Sequence, residues 1–190
     1  MSRSYRISVR ESENRIIRAE DCVSTQLEIL EVLPPDQMAD LLAAELEEHG
    51  FECDGEKMVR TEESGVKVSV DPTTGTVSVS AESSEQVDIE SQRDGRAYDD
   101  MGDHAKQVRE GLRQEAKKDI DRKAAEKSKQ MQSKVTDQLE AQLGELSAEM
   151  DQVVNQVTAK ALKQKAATLG QIKEITEDPQ SGSMTIVVEV

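Results

Sequence analysis

The sequence predicts an α+β fold: an N-terminal antiparallel sheet with one short packed helix, then a long helical arm and a closing β-hairpin. Two observations support this prediction. Apolar and polar residues alternate in most segments before residue 90, as in half-buried strands, whereas residues 103–169 lack proline and are rich in helix-forming residues. Only 35% of the 190 residues are hydrophobic and 2% are aromatic, so we expect a small aliphatic core.

The first 90 residues predict a small sheet domain. Tyr5, Ile7 and Val9 alternate with polar residues, a turn is expected at "ESEN", and the following "CVSTQLEIL" predicts a second strand. The segment "LPPDQMADLLAAELEEHG" predicts a helix, because prolines precede it and Gly50 follows it. Its apolar positions form one stripe, and its acidic end "ELEEHG" is expected to be solvated surface. The stripe contains Met38, Leu41, Leu42 and Leu46.

A second hairpin is predicted at "GVKVSVDPTTGTVSVSAE", where two alternating valine segments flank a turn with proline and glycine. Val87 and Ile89 predict a further strand. Residues 91–102 have turn composition and are assigned to a linker. The predicted organisation is therefore a sheet domain (1–90), a linker (91–102), a helical arm (103–169) and a C-terminal hairpin (170–190).

The arm carries an apolar stripe with mostly alternating spacings of four and three residues, which is typical of a coiled-coil seam. We take this stripe as the candidate interaction surface, with packing inside the chain or within a homodimer as the competing interpretation. The six seam residues are Leu139, Leu143, Leu146, Met150, Val153 and Val157.

The closing segment "DPQSGSMTIVVEV" predicts a turn and an apolar strand, which pairs with residues 172–176. A two-stranded hairpin is marginal alone, so we expect it to be covered or paired. A straight helix of this length would extend about 100 Å and carry the hairpin away from a small sheet. Three arrangements remain: an arm folded back near 127–134, an antiparallel coiled coil of two chains, or a hairpin open to another protein. We favour the antiparallel helical hairpin, which returns the strands to their own sheet.

The net charge and the absence of several catalytic motifs disfavour some classes of function. A net charge of −15 disfavours nucleic acid and anionic lipid as partners. The sequence has no phosphate-binding loop, no H-E-x-x-H and no Cys-x-x-Cys, and Cys22 and Cys53 lack a local catalytic signature. We therefore predict no enzymatic activity, no cofactor and no metal site. No signal-like or membrane-spanning apolar segment is present, so we expect a cytoplasmic protein.

The block "SYRISVRES", followed by "QLEILEVLPPDQMADLLAAELEEHGFE", resembles the small accessory-domain proteins of bacterial FtsH ternary systems. The resemblance covers mainly residues 4–53. In these systems an FtsH-type AAA+ protease is encoded with MoxR-like ATPase and von Willebrand factor A partners. The resemblance implies an accessory component without its own catalysis, and it supplies no catalytic residues.

Architecture and resemblance together predict an adaptor or assembly subunit that acts through protein contacts, with AAA+ or von Willebrand factor A proteins as expected partners. The alternative is a structural homo-oligomer built on a coiled coil.

Overall fold

The computed structural model describes residues 4–98, 102–178 and 183–189. Within these ranges the elements are, in chain order, β1 (Tyr5–Gln26), α1 (Pro35–Glu48), β2 (Glu52–Asp54), β3 (Lys57–Thr61), β4 (Lys67–Asp71), β5 (Thr76–Ala97), α2 (Asp103–Leu169), β6 (Gln171–Asp178) and β7 (Ser183–Glu189). The predicted α+β class is confirmed. The chain divides into two compact units. We call Met1–Asp21 with Glu82–Thr136 the ribbon unit, and Cys22–Ala81 with Asp137–Val190 the sheet unit.

Five strands form one sheet in the order β1-β5-β4-β3-β2. The predicted hairpin between β4 and β5 is confirmed, with Val68 opposite Val79 and Val70 opposite Val77. Its turn is held by the Asp71 carboxylate, which accepts a hydrogen bond of 2.9 Å from the Thr73 amide. Gly75 adopts a φ of 70°, a conformation that glycine reaches at little steric cost.

β1 and β5 each contain 22 residues, far longer than the short strands expected from the sequence. The predicted turn at residues 11–14 is wrong, because this segment continues β1. Polar pairs across the two strands explain the continuity: Arg10 pairs with Glu90, and Asn14 bonds with both Gln86 and Asp88. The partner numbers fall along one strand as they rise along the other, which is the register of antiparallel neighbours.

The linker prediction is wrong for residues 91–97, which belong to β5. Gly95 of β5 packs closely against α2. A Cβ atom at this position would lie 3.0 Å from Leu112 Cδ1 and 3.2 Å from Val108 Cγ1. The absent side chain therefore lets α2 approach β5 closely, a role that a turn-like composition does not reveal.

The helical segment predicted over 103–169 coincides with the bounds of α2, but the predicted reversal near 127–134 is wrong, because α2 is one continuous helix. In this segment Met131 is buried and Lys127 forms an ion pair of 3.2 Å with Glu85 of β5. The helix is held on strands along this stretch, so it has no need to fold back to bury its apolar face.

In the ribbon unit, the segments of β1 and α2 have similar lengths. Residues 5–21 of β1 span about 56 Å at about 3.3 Å per residue, and residues 103–136 of α2 span about 51 Å at about 1.5 Å per residue. A two-stranded ribbon is marginal by itself, so the helix supplies its core. One cluster contains Ile7, Val9, Ala97, Ala105, Val108 and Leu112, and another contains Val87, Ile89, Ile120 and Ala124.

A polar contact lies between these clusters. Asp119 of α2 is buried and accepts hydrogen bonds from Arg122 at 2.5 Å and from the Ser91 hydroxyl at 2.9 Å. The hydrogen bond from Arg122, and to a smaller extent that from Ser91, holds the pKa of Asp119 well below its usual range. Arg93 adds an ion pair at 3.1 Å, so the carboxylate is compensated from both β5 and its own helix.

The sheet unit packs α1 and the second half of α2 around the shorter strands. The predicted helix is confirmed at Pro35–Glu48, and Met38, Leu42 and Leu46 of its stripe are buried, whereas Leu41 is half-buried. The expected solvated end is wrong at Glu45, which is 1% exposed. Lys160 of α2 approaches its carboxylate to 2.5 Å, which compensates the buried charge.

Arg60 of β3 fixes α2 in the sheet unit. Its guanidinium donates two hydrogen bonds to Glu149, of 2.7 and 2.6 Å, and a third of 2.7 Å to the backbone carbonyl of His49. The guanidinium carbon also lies 4.5 Å from the ring centroid of Phe51. The Arg60 guanidinium lowers the pKa of Glu149, because a paired carboxylate is favoured in its charged form.

β6 and β7 form a separate two-stranded sheet. The predicted C-terminal hairpin is confirmed, but its return to the main sheet is wrong for the described residues. A single residue, Gly170, separates α2 from β6, and a side chain at this position would collide with the carbonyl oxygen of Glu189. The hairpin pairing therefore starts directly after the helix, and its two strands bond to each other. The predicted turn at 179–182 lies outside the described residues.

Replacing Gly95 by Val should lower the free energy of unfolding by about 1 to 3 kcal/mol, because the new side chain overpacks the contact with Val108 and Leu112. Urea denaturation measures this change. Gly111→Ala is the control. Apart from its chain neighbours and the adjacent helix backbone, no heavy atom lies within 4 Å of a Cβ at Gly111, and alanine should stabilise α2 by about 1 kcal/mol. Equal stability of G95V and wild type would contradict the close packing.

Replacing Glu149 by Gln should destabilise the protein in a pH-dependent way. Because the pKa of Glu149 is lower in the folded state, its stabilisation is complete above the unfolded pKa of about 4.3. The stabilisation is lost as pH falls through the lower folded pKa. The difference in unfolding free energy between wild type and E149Q should therefore shrink as the pH falls below about 5.

The Arg60→Gln background provides the control for this pH series, because it removes the main partner of Glu149. In that background, adding E149Q should have a smaller and flatter effect across the same pH range. An identical pH dependence in both backgrounds would show that Arg60 does not stabilise the carboxylate.

Candidate protein-interaction surfaces

The predicted seam lies within the sheet unit and is largely internal. Leu139, Leu146, Met150, Val153 and Val157 are buried, and Leu143 is half-buried. Internal packing, the competing interpretation of this stripe, thus accounts for five of the six side chains. Leu143 is the seam residue that keeps substantial exposed surface, and its interaction with a partner stays a prediction.

A groove of about 420 Å³ opens beside the seam. The second half of α2 forms one wall, the end of β1 and the following loop form the other, and Val77 and Val79 of β5 contribute to the floor. The remaining lining residues are Val23, Thr25, Gln26, Leu27, Glu28, Leu143, Leu146, Ser147, Met150, Asp151 and Val154. Val23 is 39% exposed, so an apolar side chain of the wall faces solvent.

These lining residues come from segments that are far apart in sequence. The apolar spacing of α2 predicts its contribution, but no local pattern indicates that residues 23–28 lie opposite it. The hydrogen bond of 2.8 Å from the Leu27 amide to the Gly75 carbonyl fixes the loop after β1 next to the β4–β5 turn. The groove is therefore set by long-range contacts.

A second surface lies on the C-terminal hairpin. Ile172 pairs with Val188, and Ile175 pairs with Ile186. A register shift between Ile172 and Glu174 brings Ile175, instead of Glu174, onto the face of Ile172. The resulting hairpin apolar face consists of Ile172, Ile175, Met184, Ile186 and Val188. These side chains are half-buried or exposed, with Ile175 40% exposed.

The opposite face of this hairpin is more polar, with Thr176 paired with Thr185. Val187 also lies on this side and is exposed. An ion pair of 2.8 Å between Lys173 and Glu189 joins the two strands. The hairpin is thus amphipathic, and its apolar face is only partly covered.

The described part of the chain has few side chains arranged for metal binding or catalysis. It contains no cluster of three or more His, Cys, Asp or Glu residues that could hold a metal ion. Cys22 and Cys53 are both exposed thiols. His49 ends α1, and its Nδ1 lies 3.1 Å from Glu149, within the contacts that fix α2. Both surfaces offer chiefly apolar contact and, in the groove, negative charge.

The described helices include none that is both long and apolar enough to cross a membrane. α2 is long, but charged residues are spaced throughout it.

In a comparison with known protein families, the chain matches the family described as FtsH ternary system domain X5 over residues 1–190. No curated protein and no solved structure matches the chain significantly. The match extends the resemblance seen in residues 4–53 to the whole chain. The chain belongs to the FtsH ternary system domain X5 family.

Proposed function

We propose that this chain is a non-catalytic adaptor or assembly subunit of an FtsH ternary system, which binds other proteins in the cytoplasm. The observation that carries the proposal is the partly covered hairpin apolar face. Family membership supports an accessory role beside the other components of such a system. AAA+ ATPases or proteases and von Willebrand factor A proteins are the proposed partners.

The energetics of the hairpin support binding by strand addition. Covering a half-buried aliphatic side chain completely would contribute roughly 1 kcal/mol of further hydrophobic stabilisation. A two-stranded sheet is also only marginally stable without such cover. In the described two-stranded sheet, β6 and β7 pair only with each other, so each has an outer edge. A partner strand could extend this sheet and cover the apolar face at the same time.

A homo-oligomer built on a coiled coil is less well supported. Its seam would use Leu139, Leu146, Met150, Val153 and Val157, which already pack inside the sheet unit. Pairing along the whole seam would require exposing Leu139, Val153 and Val157, which are almost fully buried. Sedimentation over a concentration series distinguishes this alternative, since a coiled-coil assembly should dissociate on dilution.

The adaptor role is tested by affinity capture of the tagged protein from its native cells after gentle lysis. Wild type should retain an AAA+ or von Willebrand factor A component of the system. The variant Ile175→Lys with Ile186→Lys should lose this component, because it places two charges on the hairpin apolar face.

The variant Thr176→Lys with Thr185→Lys is the matched control. It also introduces two lysines at a cross-strand pair, but on the opposite face, and should retain the partner. Circular dichroism should show equal helix content in both variants. The proposal fails if wild type captures none of these components, or if the two variants capture them equally well.

A further inference from the structure

We propose that the groove between α2 and the end of β1 receives an amphipathic helix of a partner protein, with aliphatic residues on one face and lysine or arginine beside them. This site uses residues that are separate from the hairpin apolar face. It therefore adds a second docking position and a partner chemistry to the proposed function.

The dimensions of the groove fit a short helix. α2 contributes lining residues from Leu143 to Val154, spaced by three and four positions along one ridge. This ridge spans about 17 Å, which equals about three helical turns. The opposite wall, residues 23–28, is about 17 Å long as extended chain. A helix of three turns can place apolar anchors three and four residues apart along this length.

The position of the groove favours a helix over a strand. Val77 and Val79 of β5 line it together with α2, so the space lies on the face of the sheet, in the layer that α2 occupies. A strand there could not hydrogen-bond to the sheet edge, and its backbone amides and carbonyls would be unpaired against apolar walls. A helix satisfies its own backbone groups and exposes only side chains.

The charge of the groove identifies the partner's flanking residues. Glu28 and Asp151 are exposed at the lining, and the lining contains no basic side chain. A partner helix with lysine or arginine beside its apolar stripe would complement these two carboxylates. A second copy of this chain is a poor occupant, because each copy carries a net charge of −15.

Binding is tested with a fluorescein-labelled peptide of about 14 residues, capped at both ends, with leucines at helical spacing and lysines on the flanks. Fluorescence anisotropy with the full chain should show saturable binding. A peptide with the same leucines and with glutamates in place of lysines should bind at least about tenfold more weakly. A third peptide with a central proline should also lose affinity, because it cannot form the helix.

Charge reversal at Glu28→Lys with Asp151→Lys locates the site. This variant should bind the lysine peptide about tenfold more weakly and the glutamate peptide more tightly than wild type does. The neutral variant Glu28→Gln with Asp151→Asn should fall between the two. Glu52→Lys with Glu56→Lys is the matched control, because both glutamates are exposed in the sheet unit and neither lines the groove.

Three results would overturn the assignment: no saturable binding of the lysine peptide, an equal loss of affinity in the groove and control variants, or equal affinity for the proline peptide. The last result would indicate an extended occupant. The hairpin variant with lysines at 175 and 186 should bind the peptide as wild type does, so this inference and the proposed function can fail separately.

Discussion

The constraint on which each unit depends is the buried face of its own segment of α2. In the ribbon unit this face combines Ala105, Ala116 and Ala124 with larger residues such as Ile120, and Gly95 on β5 allows close approach. In the sheet unit it is formed by larger residues such as Leu139, Met150 and Val153. In each unit the helix segment needs strands against this face, because its remaining surface is charged and contributes little to stability.

This dependence explains which parts of the fold could be predicted. α1 and the β4–β5 hairpin have local signals, with prolines and glycine around the helix and a turn between valine strands. The long strands lack such signals. Polar residues such as Asn14 and Gln86 interrupt the alternating pattern, yet they bond to each other across β1 and β5. Their strand conformation follows from a partner more than 70 positions away, which local periodicity cannot reveal.

The candidate surfaces also combine features that the sequence predicts with features that depend on long-range contacts. The seam was visible as an apolar stripe, but whether it is covered depends on strands that were predicted to be short. The groove joins residues 23–28 with α2, and the hairpin apolar face depends on one register shift that moves Ile175 beside Ile172. Both surfaces result from tertiary or register details. What the sequence could predict was their chemistry, which is aliphatic and acidic.

The most direct test of the account is a comparison of Lys129→Pro with Lys129→Ala by urea denaturation, followed by circular dichroism. Lys129 is exposed and lies in residues 127–134, the segment for which the sequence predicts a reversal of the helix. A continuous helix predicts that K129P is less stable than K129A by about 3 kcal/mol, because proline removes a backbone hydrogen bond and clashes with the preceding turn. A difference below about 0.5 kcal/mol would contradict the continuous helix and favour a turn at this position.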